Sequence, residues 1–238
     1  MRERFRNNPV LRWFIGDVRD RDQLEHAMEG IETVIHAAAL KRIEVGAYHP
    51  REMVKTNVLG SQNVIDAAKR QGVAKVLLVS SDKAFEPVSP YGQSKALAES
   101  LFLTANNVYP GGPKYSVVRY GNIWGSTGSL VPSWNEILKT SDTVPVTNPS
   151  ATRFFMWQHE AVSLIINTLN SMIGGEVAIP DLPAYSVGDV AEAMGAKMMI
   201  IGMPKYEKLH EKMSDKAYSA TARRMTVAEI RGALNDAA

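Results

Sequence analysis

The sequence predicts an α/β protein in which a doubly wound parallel sheet is followed by a smaller lobe. Three observations support this fold class. Short apolar runs alternate with helix-length amphipathic segments through the first half of the chain. The run KVLLVS (75–80) is continuously apolar, as expected for a parallel strand that is covered on both faces. After Asn122 this alternation gives way to shorter strand-like pieces, which indicates a second lobe.

The first half is expected to be a series of strands separated by helices. The predicted strands are VLRWFI (10–15), TVIHAAA (33–39), KVLLVS (75–80) and YSVVRYGNI (115–123). The predicted helices run from Gln23 to Met28 with Asp22 as N-cap, from Pro50 to Arg70, and from Pro90 to Tyr109. The inward stripe of the second helix comprises Val54, Val58, Val64, Ile65 and Ala68. This order favours parallel pairing with right-handed crossovers.

The boundary between the two units is predicted at residue 122, with a larger unit at 1–122 and a smaller lobe at 123–238 packed on it. The smaller lobe would contain a helix at 130–140, the strand-like pieces VPVT (144–147) and RFFMW (153–157), and a helix from His159 to Met172. EVAIP (176–180), MMIIGM (198–203) and two small helices would complete it. The absence of repeats and long linkers in the sequence favours tight packing of the two units.

Composition limits the classes of protein to which the chain can belong. With 238 residues, 45% of them hydrophobic, and a net charge of +2, it has the composition of an ordinary globular protein. The basic cluster at 1–6 contains Glu3 and no series of aromatic residues, so we interpret it as a solvated helix end and expect no nucleic-acid partner. Cysteine is absent and the five histidines lack metal-ligand spacing, which favours a cytoplasmic protein without a metal site. No stretch approaches the length of a membrane span, so no membrane association is expected.

The segment SSDKAFEPVSPYGQSK (80–95) concentrates side chains that can transfer protons. Tyr91 and Lys95 are four residues apart, so they share one face of the predicted helix. An ammonium group near a phenol favours the phenolate and brings the tyrosine closer to acid–base work at neutral pH. The pair follows a loop at the carboxyl end of a buried strand, where α/β sheets place their ligand crevice. Ser80 and Ser81 end that strand and can supply a third hydroxyl group.

Asp82 and Lys83 add an acid and a base to this loop. Adjacent opposite charges in a loop are usually solvated, so the pair alone says little about function. Beside Ser81 and Tyr91, however, a carboxyl group with a raised pKa can protonate a leaving hydroxyl group. A partly desolvated lysine is expected to be neutral often enough to remove a proton from carbon.

Motifs along nearly the whole chain resemble one protein family. In order they are GDVRD (16–20), HAAALKR (36–42), KTNVLGSQNVIDAA (55–68), SSDKA (80–84), YGQSK (91–95), RYGNIWGSTGSLVP (119–132), TRFF (152–155), GGEVAIP (174–180) and EKLHE (207–211). They are similar to motifs of the extended short-chain dehydrogenase/reductase superfamily. Within it, they resemble the inverting UDP-N-acetylglucosamine 4,6-dehydratases of capsular polysaccharide biosynthesis. The resemblance makes residues 1–122 a partial Rossmann-like nucleotide-binding domain and the following lobe the substrate-binding one.

The resemblance also implies a mechanism that uses NAD or NADP and a UDP-sugar, typically UDP-N-acetylglucosamine. Tyr91, assisted by Lys95 and Ser81, would take the proton of the sugar 4-hydroxyl while a hydride leaves C4 for the nicotinamide. Lys83 would remove the C5 proton that the 4-ketone acidifies, and Asp82 would protonate the departing 6-hydroxyl. The hydride would return at C6. Protonation of C5 from the opposite face would invert that carbon, with Lys83 or Tyr91 participating.

Binding residues outside the loop are also implied by the resemblance. Cofactor contacts would come from Asp17 and Val18 near the adenine, from the small residues Ala37, Ala38 and Ala39, and from Tyr91 and Lys95. For the three alanines, plain strand packing is an equally good explanation. Substrate contacts would come from Lys41, Asn122, Arg153 and Glu207, with Arg153 as a clamp on the diphosphate.

The C-terminal motif departs from the family pattern R-P-G-E-K-L-H-E, because this chain reads PKYEKLHE at 204–211. The arginine and the turn glycine are therefore replaced. Tyr206 would adopt a positive φ only at a cost, so the UDP end of the site is expected to differ. Lys205 could substitute for the arginine as a point charge.

A second departure concerns the cofactor. None of the 17 glycines forms a G-x-G triplet, so the glycine-rich turn that holds a dinucleotide pyrophosphate is missing from the sequence. In the family a βαβ unit with that turn precedes VLRWFI, so we predict an N-terminally truncated sheet. TVIHAAA would then have an open apolar edge unless VLRWFI pairs beside it. We expect a homo-oligomer or a partner chain to cover this edge.

Other functions stay open at the level of sequence. A UDP-sugar 4-epimerase or reductase of the same superfamily would share Tyr91 and Lys95 but has no need of an Asp–Lys acid–base pair. A non-catalytic binding or assembly protein would retain the site residues without using a cofactor. The missing unit fits a second polypeptide, a truncated product or such an assembly role. Neither the choice between NAD and NADP nor the exact sugar is fixed by the sequence.

Overall fold

The computed structural model describes residues 8–236. The basic cluster at 1–6 lies outside this range, so its interpretation stays a prediction. The helices of the described range are α1 (Arg21–Ala27), α2 (Ile43–Tyr48), α3 (Pro50–Met53), α4 (Gly60–Arg70), α5 (Pro90–Val108), α6 (Leu130–Leu138), α7 (Gln158–Ser171), α8 (Val187–Ala193) and α9 (Val227–Asp236). Its strands are β1 (Thr33–His36), β2 (Lys75–Val79), β3 (Lys114–Val118), β4 (Asn122–Ile123), β5 (Thr143–Val146), β6 (Thr152–Met156), β7 (Val177–Ala178), β8 (Ala184–Ser186) and β9 (Lys197–Ile200). A π-helix spans Val54–Leu59, and a short 3₁₀ helix spans Asp82–Ala84.

The large sheet has the strand order β1-β2-β3-β7, and every pair in it is parallel. β2 lies between β1 and β3, and its three central residues Val76, Leu77 and Leu78 are fully buried. Phe102 of α5 and Tyr115 of β3 pack edge to face there, with ring centroids 5.9 Å apart. The predicted parallel, Rossmann-like α/β class is therefore confirmed.

The smaller lobe contains two further sheets. One has the order β4-β6-β8 and the other pairs β5 with β9. Its core is built around Trp124, Phe155 and Tyr185, and the Trp124 ring centroid lies 5.2 Å from that of Phe155. The chain also returns to the large sheet after residue 157, where β7 pairs with β3. The boundary predicted at residue 122 would instead assign β7 to the smaller lobe.

Helix α5 places one half of the site. Ser89 caps it by accepting a hydrogen bond from the Gly92 backbone N–H at 3.1 Å, and Pro90 occupies its first turn. A Cβ atom at Gly92 would lie 2.3 Å from the Lys83 carbonyl oxygen, so only glycine lets the helix approach the 82–84 turn this closely. The helix predicted at 90–109 is confirmed.

The strand predicted at VLRWFI (10–15) is wrong, because this segment is irregular. Val10 is 84% exposed and Ile15 is 95% exposed. An apolar run forms a strand only where a neighbouring strand accepts its backbone hydrogen bonds, and within residues 8–236 no strand pairs with this one. The alternative pairing of VLRWFI beside β1 is also not observed. One edge of β1 is therefore unpaired among the described residues, and Ile35 on it is 48% exposed.

Smaller differences have local causes. The predicted helix from Pro50 to Arg70 contains the π-helix, whose wider turn breaks the inward stripe, so Val54 is 48% exposed while the other stripe residues are buried. The predicted strand at 115–123 divides between β3 and β4 of two sheets. Asp20, and not Asp22, caps α1 by accepting from the Gln23 backbone N–H at 3.2 Å. The strand predicted at 33–39 ends at His36.

Among residues 8–236, no helix is both long and apolar enough to cross a membrane.

Candidate active site

A cavity of about 300 Å³ lies where the carboxyl end of β2 meets the smaller lobe. Its lining includes five charged or polar residues: Lys83, Asn122, Arg153, Glu207 and Glu211. The first four were predicted from the sequence as catalytic or substrate-binding residues. The structure therefore brings residues from the 82–84 turn, β4, β6 and the 207–211 segment to one place.

The Asp82 carboxylate is completely buried and does not itself line the cavity, although its neighbour Lys83 does. Its Oδ1 accepts hydrogen bonds from the Ser81 hydroxyl at 3.0 Å and from the Lys83 ammonium at 2.9 Å. Its Oδ2 is buried without a hydrogen-bond partner in the described part of the chain. Burial raises the pKa of Asp82, the Lys83 charge opposes that shift, and the Glu211 carboxylate adds to it. A raised pKa is what the sequence argument required of an acid.

Lys83 differs from its expected state. From the sequence, desolvation was expected to make this lysine neutral part of the time. Burial does act in that direction, but the Asp82 and Glu211 carboxylates outweigh it and raise the pKa of Lys83 above its ordinary value. The Lys83 Nζ atom also lies 3.4 Å from Asn122 Oδ1. Lys83 is thus an ammonium group in the resting protein.

Tyr91 and Lys95 project from the first turns of α5, and both are buried. Burial raises the pKa of Tyr91, whereas the Lys83 charge and the Ser81 hydroxyl act in the opposite direction. The sequence argument assigned this favourable charge to Lys95. The Lys95 ammonium instead donates to the Val79 carbonyl at 2.7 Å, and burial lowers its pKa to about 8.

Glu211 is a site residue that the sequence argument did not assign, although it closes the EKLHE motif quoted for the resemblance. Its side chain is 2% exposed. One carboxylate oxygen lies 3.6 Å from Lys83 Nζ, and the other lies 3.0 Å from Lys208 Nζ. The Lys208 ammonium also donates to the Phe85 carbonyl at 2.9 Å. The motif therefore binds the turn that carries Asp82 and Lys83.

Arg153 and Glu207, two of the predicted substrate residues, contact each other. The Arg153 guanidinium donates to Glu207 at 2.5 Å and to the carbonyl oxygens of Thr152 and Leu209 at 2.8 and 3.1 Å. Tyr206 lies beside them in the cavity wall. Among residues 8–236, Glu86 is the one non-glycine residue with a positive φ, so Tyr206 does not reproduce the conformation that a turn glycine would allow.

The predicted cofactor residues near β1 lie outside this cavity. Asp17 binds Arg19 at 2.7 Å, which lowers the pKa of Asp17 to about 2. The Val18 carbonyl accepts a hydrogen bond from Asn63 at 3.0 Å. Ala37 and Ala38 are exposed and Ala39 is partly buried in the loop after β1, so they are not packed within a strand. Lys41 is exposed, and its ammonium donates to the Thr127 carbonyl at 2.8 Å.

Asn57 is a second residue that the sequence argument missed. It is buried in the π-helix and exchanges hydrogen bonds with the Leu40 backbone, accepting from the N–H at 2.8 Å and donating to the carbonyl at 2.9 Å. Its amide also donates to the Ser94 hydroxyl at 2.9 Å. One side chain therefore links the loop after β1 to the helix that carries Tyr91.

The donor set fits one end of a nicotinamide dinucleotide. The phenol of Tyr91 and the ammonium of Lys95 lie at the end of β2, and the Ser80 hydroxyl there is buried without a partner among the described residues. These groups suit a ribose and a nicotinamide amide. The G-x-G turn for the pyrophosphate is not in the sequence. Residues 8–236 contain no group of three side chains that could hold a metal ion.

Known proteins resemble this chain along most of its length. An inverting UDP-N-acetylglucosamine 4,6-dehydratase from Campylobacter jejuni is 41% identical over 211 residues, which cover 87% of this chain and 63% of that protein. A UDP-glucose 4-epimerase from Rickettsia conorii is 38% identical over 79% of this chain and 55% of its own length. The chain thus spans less than two thirds of these curated relatives.

Solved structures agree on the fold. The X-ray structure of Pen from Bacillus thuringiensis superposes with a TM-score of 0.93 at 31% identity, covering 99% of this chain and 85% of that one. The dTDP-glucose 4,6-dehydratase of Streptomyces venezuelae, solved with NAD bound, gives a TM-score of 0.82 at 19% identity over 96% of this chain and 80% of that one. This second likeness shows the fold alone.

The family described as polysaccharide biosynthesis protein matches residues 2–230. The resemblance inferred from the motifs is confirmed by this match and by the Campylobacter relative. The chain belongs to the polysaccharide biosynthesis protein family.

Proposed function

We propose that the protein is a C5-inverting nucleotide-sugar 4,6-dehydratase that acts on UDP-N-acetylglucosamine, with NAD or NADP, in the synthesis of a surface polysaccharide or glycan. The observation that carries this proposal is the buried Asp82–Lys83 pair, 2.9 Å apart at the edge of the cavity. An elimination beside a carbonyl group needs a base at C5 and an acid at the 6-oxygen, whereas a 4-epimerisation needs only the acid–base group at the 4-hydroxyl. The identity to the Campylobacter dehydratase supports the same assignment.

In the first step of the proposed reaction, Tyr91 accepts the proton of the sugar 4-hydroxyl. The bound dinucleotide supplies the hydride acceptor for C4 and later the hydride donor for C6. Within the chain, the Lys83 charge and the Ser81 hydroxyl favour the phenolate that can accept this proton. Lys95, fixed on the Val79 carbonyl, orients the first turns of α5 and is available to a ribose hydroxyl.

In the second step, Lys83 takes the proton from C5 and Asp82 gives a proton to the 6-oxygen. The C5–H and C6–O bonds break, a C5–C6 double bond forms, and water leaves. The Lys83 ammonium of the resting protein first passes a proton to Asp82 over their 2.9 Å hydrogen bond, so the pair enters this step as amine and carboxylic acid and ends it as ammonium and carboxylate. The Asp82 and Glu211 carboxylates favour the ammonium group that forms on Lys83, whereas burial disfavours the carboxylate that forms on Asp82.

Resetting the pair needs one proton transfer. The Lys83 ammonium already donates to Asp82 Oδ1, so its proton can pass to that oxygen over 2.9 Å. C5 then receives a proton from the opposite face, and the proton taken from the 4-hydroxyl balances it. The sum of the steps is the loss of one water, with inversion at C5.

Substrate and cofactor contacts complete the proposal. We assign the UDP-sugar to Lys41, Asn122, Arg153 and Glu207. A diphosphate at Arg153 would replace part of its ion pair with Glu207, since a guanidinium group binds phosphate as well as carboxylate. We assign the cofactor to Asp17, Val18, Ala37, Ala38, Ala39, Tyr91 and Lys95. We also propose a cytoplasmic location, and a homo-oligomer or a partner chain at the unpaired edge of β1.

Product analysis tests this function. The purified chain is incubated with UDP-N-acetylglucosamine and NAD⁺ or NADP⁺, and the sugar is examined by mass spectrometry and NMR. We expect a 4-keto-6-deoxy sugar that has lost one water and is inverted at C5. Recovery of the 4-epimer without loss of water would support the epimerase instead. No change in the sugar, together with no binding of NAD(P)H by fluorescence, would contradict an enzyme that acts as this chain alone, and it would fit a second polypeptide, a truncated product or an assembly role.

A further inference from the structure

Two carboxylates face the same ammonium group at the cavity. Lys83 Nζ lies 2.9 Å from Asp82 Oδ1 and 3.6 Å from Glu211 Oε1. Both carboxylate side chains are almost completely buried, at 1% and 2% exposure. Ionising both Asp82 and Glu211 in this buried site costs free energy even beside the Lys83 ammonium group, because the two negative charges repel each other. The charge of Glu211 therefore affects whether Asp82 and Lys83 are protonated.

Glu211 is held firmly where it lies. Its backbone N–H donates to the Ser219 hydroxyl at 2.8 Å, and its carbonyl accepts from the Ser219 backbone N–H at 2.8 Å. The same Ser219 hydroxyl contacts Thr152 of β6 at 2.6 Å. The 207–211 segment is thereby fixed to β6 on one side, while Lys208 holds the Phe85 carbonyl on the other.

We propose that Glu211 is a positioning residue that sets the protonation of the Asp82–Lys83 pair. This proposal rests on the proposed dehydratase function. Glu211 makes no hydrogen bond with Asp82 in the described structure and acts on it through charge, since both carboxylates pair with the Lys83 ammonium group. It stabilises the ammonium that Lys83 becomes when it takes the C5 proton. It also makes ionisation of Asp82 less favourable, which keeps that acid able to donate.

Other charged and titratable groups also face the pair. Arg153 of β6 opposes the ammonium form of Lys83, and Lys208 pairs with Glu211 from within its own segment. Tyr91 of α5 and Tyr185 of β8 also face the pair, and burial raises the pKa of both phenols.

Glu211 raises the pKa of Asp82 and that of Lys83. Removing the charge of Glu211 should therefore lower both apparent pKa values of the Asp82–Lys83 pair.

The first test does not depend on turnover. The chain is labelled with ¹³C at aspartate carboxyl carbons, and Asp82→Asn assigns the Asp82 signal in NMR titrations. In Glu211→Gln we expect the Asp82 transition to move to lower pH by about one unit or more. The matched control is Glu192→Gln, which neutralises an exposed carboxylate of α8 and should leave the signal unmoved. An unchanged Asp82 transition in Glu211→Gln overturns the proposal.

The second test uses the reaction. If activity needs one proton shared by Asp82 and Lys83, Glu211→Gln should move both limbs of the pH–rate profile to lower pH and reduce kcat with little change in KM. Glu211→Asp, which keeps the charge, should restore the limbs toward their wild-type positions. A lower rate with both limbs unmoved would mean a merely structural role and would overturn the proposal. A moved NMR transition in a chain that forms no 4-keto sugar would leave this inference standing and remove the dehydratase function.

Discussion

The neighbouring strands β1 and β2 of the large sheet differ in pairing and burial. β2 is paired on both edges, and its central residue Leu77 is fully buried. β1 is paired on one edge within residues 8–236, and Ile35 at its centre is 48% exposed. The apolar segment before β1 is more exposed still, with Ile15 at 95%. An apolar run thus forms a strand only beside other strands. β2 has two neighbouring strands, β1 has one within residues 8–236, and residues 10–15 have none there.

The same contrast controls the acids of the two regions. Asp17 lies near β1 in solvent, where Arg19 lowers its pKa to about 2. Asp82 follows β2 and is paired with a cation at 2.9 Å, yet its pKa is raised because it is buried and Glu211 is near. A charge partner therefore does not decide by itself whether an aspartate can donate a proton. Burial decides the sign here.

The largest expected effect is at the buried pair. Lys83→Met should lower the rate of water loss by about 10²–10⁴-fold, because the base of the elimination is removed. Binding of NAD(P)H, followed by fluorescence, should be retained. Lys197→Met breaks the exposed ion pair with Asp142 and serves as the control, with wild-type turnover expected. Turnover that is equal in the two variants would remove Lys83 from the base role.

Stability should separate the two regions next. Leu77→Ala is expected to lower the free energy of unfolding by about 2–5 kcal/mol, because it leaves a cavity in a covered strand. Ile15→Ala should change it by less than about 0.5 kcal/mol, since that side chain is in solvent. Denaturant unfolding monitored by circular dichroism measures both. A large loss in Ile15→Ala would show that the 10–15 segment is covered in solution, for instance by a second copy.

An intermediate effect is expected at His36 on β1. This ring is buried, stacks on Phe102 with centroids 5.9 Å apart, and contacts the Ser61 hydroxyl at 3.1 Å. Burial and the Lys95 charge lower its pKa to about 3.

Its unfolded form takes up a proton near pH 6.5 while the folded form does not. Folding stability should therefore fall by about 1.4 kcal/mol per pH unit as the pH drops from about 6 to 4. His36→Asn should flatten this slope in denaturant titrations at several pH values, and exposed His26→Asn should not. Equal slopes in all three proteins would contradict the buried, neutral state of His36.

The smallest effect is expected at the exposed ion pair of Lys212 with Glu86, whose atoms lie 2.9 Å apart. Solvent screens this pair, in contrast to Lys83 and Asp82. Lys212→Ala should leave the unfolding midpoint and the turnover within experimental error. A clear loss of turnover would indicate that Lys212 positions the catalytic turn through Glu86.

Local signals explain which parts of this account the sequence could predict. Ser89 and Pro90 act on the helix that begins beside them, and the apolar run of β2 is continuous, so the helix start, the strand and the four-residue spacing of Tyr91 and Lys95 could be predicted from the sequence. The pairing state of residues 10–15 depends on a neighbouring strand, which the run itself does not encode. Glu211 reaches Lys83 across more than half the chain, and only the fold reveals that contact. The π-helix around Asn57 likewise has no simple periodic signature.

Isotope exchange at C5 reports directly whether the buried pair removes that proton. UDP-N-acetylglucosamine is incubated with the chain and cofactor in D₂O, and deuterium at C5 of the recovered sugars is measured by NMR. The proposed chemistry predicts deuterium at C5 with the wild-type chain, and none with Lys83→Met under conditions where the 4-keto sugar still forms. Deuterium at C5 at an undiminished rate in Lys83→Met would contradict the assignment of proton removal to the buried pair.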